Sequence, residues 1–397
     1  MRMRVKSIFR RIPPGVRYLV RILAVSVLFI TLLALFSHSM GGEDEIAQGA
    51  AANARRVRRM EKVCEMQGLA EGTSKLMSKL REPEGLILPI QFVVDDVFNV
   101  LYCQIPKAGS TNVKRTFLLA HALKNDTEAA KKDVIDLQDM SPDQTWKNTK
   151  VEFSRLTEKT DEEAARILSN YTRMIIARHP FERLLSFYKM LFVASGYEDF
   201  SMKVNTVNLY RQICERYGWE PPPKNIKMIT EPIKLPFPTF VQYVIDHDIR
   251  TRRGEWQINH NLDAHWLPMW RQCWPCTAHF DVIGQAETMD RDIAFITRKL
   301  GVKQRIVYPD DLKRRTASEV PIWFSQNITC NQLEALNELY SLDFDLFGYA
   351  PFDIKSVNCI WEDPAAIRKR AASIPIQNPA GAPAAPAAGA APNPPAA

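Results

Sequence analysis

The chain has 397 residues, 46% of them hydrophobic and 24% charged, with a formal net charge of +7. This is an ordinary composition for a folded protein with an ample core, held in one large domain or two modest ones, and it excludes a chain too polar to collapse. The excess of basic residues points to a polyanionic partner, although part of it sits in a separate N-terminal segment.

That segment comes first. Residues 1–21 carry Arg2, Arg4, Lys6, Arg10, Arg11, Arg17 and Arg21 and no acid. The run "ILAVSVLFITLLALF" (22–36) is apolar or small throughout, and Tyr18, Leu19 and Val20 extend it backwards if Arg21 snorkels to the interface. Glu43, Asp44 and Glu45 follow. A span near the usual ~20 residues, basic before and acidic after, predicts a cytosolic tail at 1–17, a transmembrane signal-anchor at 18–40 and a lumenal remainder. A cleaved signal peptide ending near Ser37 or Ser39 is the alternative, and the long basic region favours the anchor. Residues 41–85, charged and Ala-rich, read as a stem that needs no core. The Ala/Pro/Gly run at 364–397 reads as a disordered tail, which leaves 86–363 as the lumenal domain.

Within that domain, Phe98–Gln104 is an apolar, β-prone run, and Thr111–Leu123 carries a helical apolar pattern. "RMIIA" (173–177) repeats the strand, and "FERLLSFYKMLF" is an amphipathic helix with Pro180 suited to its first turn. A third unit places a strand at Phe280–Ile283 and a helix from about Thr288 to Leu300. Strands alternating with helices predict an α/β fold around a central, mainly parallel sheet. Asn125, Asn170 and Asn327 open glycosylation triplets, as a secretory lumen allows. The seven cysteines permit up to three bridges and one free thiol, and Cys103, in a buried strand, is the candidate free one.

Two loops carry the candidate chemistry. In "CQIPKAGSTNVKR" (103–115), a helix starting near Ser110 or Thr111 offers unpaired backbone N–H groups and the positive end of its dipole. Gly109 lets an anion approach, and Lys107, Ser110 and Thr111 add a charge and two hydroxyls. An ordinary strand-to-helix link with a capping hydroxyl is the bland reading of this loop. In "RHPFERLLSFY" (178–188), Arg178 stands at a strand end, with Arg183 and Ser186 on the helix after it. Ligands of open α/β sheets bind beyond the carboxyl ends of strands, so two such ends suit one molecule with two separated phosphate-like groups.

Together these segments resemble the 5′-phosphosulfate and 3′-phosphate binding segments of Golgi carbohydrate sulfotransferases, the family of chondroitin and dermatan 4-O-sulfotransferases and the HNK-1 sulfotransferase. "DAHWLPMWRQCWPCTAHFDVIGQAE" (263–287) and "LYSLDFDLFGY" (339–349) are similar to two further runs of that family. The resemblance implies a P-loop-like sulfotransferase fold and 3′-phosphoadenosine 5′-phosphosulfate as donor, with no metal. Pro106, Lys107, Ala108, Gly109, Ser110, Thr111 and Asn112 would hold the 5′-phosphosulfate, and Arg178, Arg183 and Ser186 the 3′-phosphate. Lys107 would neutralise charge on the leaving phosphate, in chemistry akin to phosphoryl transfer. Many relatives carry Val-Ala-Cys where Ala108-Gly109-Ser110 stands, and Trp where Val113 stands.

The acceptor hydroxyl needs a base. His265 is the first candidate, with His260 and Glu287 behind it, because a histidine near pKa ~6.5 suits a lumenal pH. His265 packing to order its loop is the alternative, and His179 is assigned to structure. Cys273 and Cys276 form a C-x-x-C that lacks thioredoxin-like or zinc-site context and reads as structural disulfides. Trp256 and Trp266, with Arg252, Arg253 and Arg271, are candidates for an acceptor groove. The expected partners are a glycan and the Golgi membrane, with no nucleic acid and room for a homo-oligomer. The expected reaction is sulfuryl transfer to O-4 of N-acetylgalactosamine in chondroitin or dermatan. The alternatives are a terminal glucuronic acid or N-glycan acceptor, a non-catalytic glycan binder on the same fold, and a lumenal kinase.

Overall fold

The computed structural model describes residues 44–81, 91–124, 153–193, 200–218, 220–221, 235–253, 263–302 and 318–362, plus single positions 26 and 366. Apart from those two positions, the expected anchor (18–40) and C-terminal tail (364–397) lie outside the described residues, as do Asn125, Trp256 and His260. Among the described residues no helix is long and apolar enough to cross a membrane.

Five strands form one sheet: β1 (Phe92–Asp95), β2 (Val100–Cys103), β3 (Ser154–Arg155), β4 (Thr172–Ala177) and β5 (Val282–Gln285), in the order β3-β1-β2-β4-β5. β2, β4 and β5 run parallel, with Cys103 opposite Ile175 and Ile175 opposite Ile283. β1 is antiparallel to both β2 and β3, so the sheet is mixed rather than mainly parallel. The cause is local. Asp95 Oδ1 accepts the backbone N–H of Val97 and Phe98, and Asn99 takes φ 52°, which folds β1 onto β2 as a hairpin too short for a parallel crossover.

The described helices are α1 (44–66), α2 (Ser74–Arg81), α3 (Ser110–Lys124), α4 (Asp161–Asn170), α5 (Pro180–Phe192), α6 (Phe200–Tyr217) and α7 (Phe237–Arg252), followed by α8 (Met269–Cys273), α9 (Pro275–Ala278), α10 (Met289–Lys299), α11 (Val320–Asn327), α12 (Cys330–Leu339) and α13 (Ser341–Phe347). The sheet alternates faces with the strand period of two. Leu101, Cys103, Ile175 and Ile283 pack under α1, α2 and α4, while Val100, Tyr102, Met174, Ile176 and Val282 meet Val113 and Phe117 of α3 and Ile293 of α10. A separate helical core joins α5 and α7 to α11–α13 through Phe181, Phe187, Phe240, Phe324, Leu333 and Phe344.

The stem expectation needs correction. α1 belongs to the folded domain: Met60, Val63 and Cys64 are buried in the core under the sheet. Arg56 of α1 donates to the Ile283 carbonyl (3.0 Å), to Asp292 (2.7 Å), to Gln285 (2.8 Å) and to Thr288 (2.9 Å). The apolar stripe that makes this contact is masked in sequence by the arginines between its members.

The disulfides are Cys64–Cys276, Cys103–Cys273 and Cys330–Cys359, and buried Cys214 is the free thiol. The assignment of the free thiol to Cys103 is therefore overturned: its β2 side chain faces Cys273 at the end of α8. Cys273 and Cys276 are structural, and each ties a different distant segment into the domain. Bridges that close 170 and 212 residues constrain the unfolded chain strongly. Peptide mapping without reduction is expected to find these three pairs, and a Cys273–Cys276 link would contradict the fold. Cys64→Ser/Cys276→Ser is expected to lose about 2–5 kcal/mol in denaturant unfolding.

Candidate active site

β2 ends and the chain turns at once. The Ala108 N–H donates to the Ile105 carbonyl at 3.3 Å, and the Gly109 carbonyl takes the N–H of Asn112 and Val113 at 3.0 Å each, starting α3 at Ser110. That leaves the Ser110 and Thr111 amides at the start of α3 without a helical acceptor. Gly109 takes φ 82°, and Lys107 takes φ 65°, a left-handed conformation uncommon for a residue with a Cβ. Such a conformation persists where surrounding contacts hold it.

The contact that holds it comes from the next strand. Arg178, directly after β4, donates from Nη1 to the Lys107 carbonyl at 2.9 Å. Its Nε and Nη2 go to Glu182 Oε2 at 3.3 and 3.2 Å, one turn along α5. The Lys107 ammonium crosses to α5 and meets Met190 Sδ at 3.1 Å. Among the described residues it meets no carboxylate or carbonyl. Burial first, and the Arg178 guanidinium second, lower the Lys107 pKa to about 8. Glu182, Ser186 and Met190 follow one another at i, i+4 and i+8, so partly exposed Ser186 lies on the α5 face that Lys107 and Arg178 address. Loop and helix thus converge at the carboxyl ends of neighbouring parallel strands.

The remaining sequence candidates divide. Pro106, Gly109, Thr111 and Asn112 are partly exposed, Ala108 and Ser110 are buried, and Asn112 Oδ1 accepts from Arg115 at 3.0 Å. His265 is partly exposed and stacks on Phe187, the neighbour of Ser186, with ring centroids 4.5 Å apart. His179 caps α5: its Nδ1 accepts from the Phe181 N–H, Nε2 faces the Ala350 carbonyl at 3.1 Å, and burial lowers its pKa. That is the structural role expected of it. Glu287 is occupied as well, accepting the His179 N–H at 2.8 Å and the Tyr349 hydroxyl at 2.9 Å.

Arg183 is not placed as a phosphate contact. It is 1% exposed and turns inward, donating from Nη2 to the carbonyls of Ala264 (3.3 Å) and Leu267 (2.6 Å). Nearby, Asp343 accepts the N–H of Met269 (2.7 Å) and Trp270 (2.9 Å), and burial pushes its carboxyl up to about 6 against the pull of Arg183. The aromatic groove also changes. Trp266 is buried, with its carbonyl held by the Tyr340 hydroxyl at 2.7 Å. Arg252 and Arg271 both pair with Asp248, at 2.9 and 2.6 Å. An indole this enclosed presents no face to a sugar. Of the two described glycosylation candidates, Asn170 and Asn327 are both exposed.

The sulfotransferase family model matches residues 90–350, which contain both loops and the buried ties behind them. The chain belongs to the sulfotransferase family. It is 29% identical over 266 residues to carbohydrate sulfotransferase 12 of Mus musculus, covering 65% of this chain and 59% of that one. It is 28% identical over 264 residues to carbohydrate sulfotransferase 11 of Rattus norvegicus, covering 65% and 66%. With carbohydrate sulfotransferase 8 of Mus musculus it shares 26% over 266 residues, covering 65% and 56%. The chain thus matches less than two thirds of the length of these relatives. No solved structure matches it.

For this sulfotransferase-family chain the structure separates Arg183 from Arg178 by role. Arg183→Met removes the donor to the buried Ala264 and Leu267 carbonyls and is expected to cost about 1–3 kcal/mol in unfolding measurements. Arg183→Lys is expected to lower Tm while leaving donor affinity of the folded protein unchanged. Weakened donor binding at unchanged Tm would return Arg183 to the phosphate site.

Proposed function

We propose that the protein transfers a sulfuryl group from 3′-phosphoadenosine 5′-phosphosulfate to a glycan hydroxyl, as a Golgi type II membrane enzyme. O-4 of N-acetylgalactosamine in chondroitin or dermatan is the acceptor proposed. The observation that carries the reading is the Arg178 hydrogen bond to the Lys107 carbonyl, which joins the two anion-binding segments into one site. The donor fits this chemistry. Among the described residues the Lys107 ammonium meets only the Met190 thioether, and the Ser110 and Thr111 amides at the start of the neighbouring α3 have no helical acceptor.

Each residue has a defined task. Lys107 and the amides of Gly109 to Thr111 hold the sulfated phosphate and offset negative charge on its bridging oxygen as the S–O bond breaks. Arg178 and Ser186 hold the distal phosphate, which fixes the donor along the carboxyl edge of the sheet. His265, partly exposed beside α5, takes the hydroxyl proton as the new O–S bond forms. Glycan acceptance draws on the family of carbohydrate sulfotransferases that the chain resembles.

The direct test incubates the full-length protein with sulfur-labelled donor and a panel of desulfated glycosaminoglycans, beside Lys107→Ala. Label on chondroitin with wild type, and at least a hundredfold less with the variant, is the expected result. No transfer to any glycan would reject the reading. The charge of Lys107 also sets a pH dependence. Its protonated form binds the anion, so donor affinity is expected to be full below pH 8 and to fall as pH rises through about 8. In Lys107→Arg this fall is expected to disappear. A fall of the same size in Lys107→Arg would place the titration on another group.

A further inference from the structure

A groove of about 710 Å³ lies between α1 and the carboxyl end of β5. Arg55, Arg58, Arg59 and Lys62 line it from α1, Arg291 lines it from α10, and no carboxylate is among its described lining residues. Arg56, which also lines it, and Arg291 are held internally: Arg56 is committed to Asp292, Gln285 and Thr288, and Arg291 to Asp292 at 3.1 Å. Arg59 lies over Gly348, where an added Cβ would stand 3.0 Å from its Nε. Arg55, Arg58 and Lys62 are exposed and have no hydrogen-bond or ion-pair partner among the described residues.

Anchoring α1 does not need these three side chains, since Met60, Val63, the Cys64 bridge and Arg56 do that. Like charges three and four residues apart on a helix repel and destabilise it. Arg55 with Arg58 and Arg59, and Lys62 with Arg58 and Arg59, have that spacing. The exposed acids of α1, Asp44, Glu61 and Glu65, are not among the lining residues. A concave surface lined by one sign of charge focuses its field and concentrates an oppositely charged ligand.

The arrangement favours a linear ligand. From Arg55 to Lys62 the helix rises about 10 Å, which sets the charges in a row, whereas a single phosphate asks for a convergent cluster. The groove also begins one strand from the candidate site. Gln285 in its wall pairs with Ala177, the residue before Arg178, and Glu287 two residues on holds the His179 N–H.

We propose that this groove docks the acidic chain of a glycan acceptor, binding its carboxylates or sulfates several sugars from the reacting hydroxyl. The proposal rests on the glycan-acceptor reading given under Proposed function. It assigns to α1 the acidic-chain contacts that the sequence placed on Arg252, Arg253 and Arg271, of which Arg252 and Arg271 are paired with Asp248.

The test compares full-length wild type with Arg55→Gln/Arg58→Gln/Lys62→Gln, residues outside the reacting site. Two acceptors are used, unsulfated chondroitin polymer and a chondroitin disaccharide. For the polymer, KM is expected to rise about tenfold while kcat and donor KM stay unchanged, and the difference is expected to shrink in high salt. The disaccharide is expected to show no difference. Fluorescence anisotropy with labelled unsulfated chondroitin polymer reads binding without turnover. Unchanged polymer KM and binding would overturn the proposal. So would a raised donor KM with the polymer unaffected, which would assign the groove to the nucleotide. If wild type transfers to no glycan yet binds the polymer and the variant does not, the enzymatic reading fails and the groove stands.

Discussion

One guanidinium joins the two halves of the candidate site. Arg178 grows from the end of β4 and donates to the carbonyl of Lys107, the left-handed residue after β2, while Glu182 holds the same guanidinium from α5. The Arg178–Glu182 pair, at 3.2 Å, is largely removed from solvent, so losing one partner costs more than breaking a surface ion pair. Without it, nothing else described on β4 fixes the conformation that aims the Lys107 ammonium across to α5. Parallel pairing of β2 with β4 sets the distance, and the helices that follow each strand carry the groups.

Behind that contact lies a layer of buried polar ties. Arg183 holds the carbonyls of the turn that presents His265, Asp343 holds the N–H groups that start α8, and Glu287 fastens both the start of α5 and Tyr349. These residues come from three separate sequence runs, with Arg183 and Asp343 buried and Glu287 partly exposed. Buried groups of this kind are tolerable only when bonded, and breaking one leaves its partner exposed to the full cost of burial. Part of the order of the site therefore comes from side chains bonded to the backbone behind it.

The three strand–loop–helix units were legible in sequence, because each apolar run has strand length and each following helix keeps its apolar period. Lys107, Arg178 and Ser186 were legible as a group, since strand ends followed by small, basic and hydroxyl residues state their chemistry locally. Arg183 is assigned to the 3′-phosphate by resemblance alone, and only the fold reveals that it is buried and donates to the Ala264 and Leu267 carbonyls. Trp266 was misread for the same reason: an indole beside histidine and proline reads equally as a sugar platform or as core. The burial of α1 was hidden by its four arginines, which interrupt the apolar residues that pack it against the core. Cys103 was assigned as free from its buried strand position, while the partner that closes its bridge lies 170 residues away, beyond any local signal. The antiparallel β1 came from a turn at Asp95 that the strand-and-helix alternation did not expose.

The central claim is that Lys107 and Arg178 act as one unit on a bisphosphorylated nucleotide. It is tested most directly by calorimetric binding of adenosine 3′,5′-bisphosphate to wild type, Lys107→Ala, Arg178→Ala and the double variant. Because Arg178 fixes the loop that aims Lys107, the two losses are expected to overlap, with the double variant weaker than the worse single variant by less than the second loss alone. Fully additive losses would show two independent contacts and contradict the account, as would nucleotide binding that neither substitution changes.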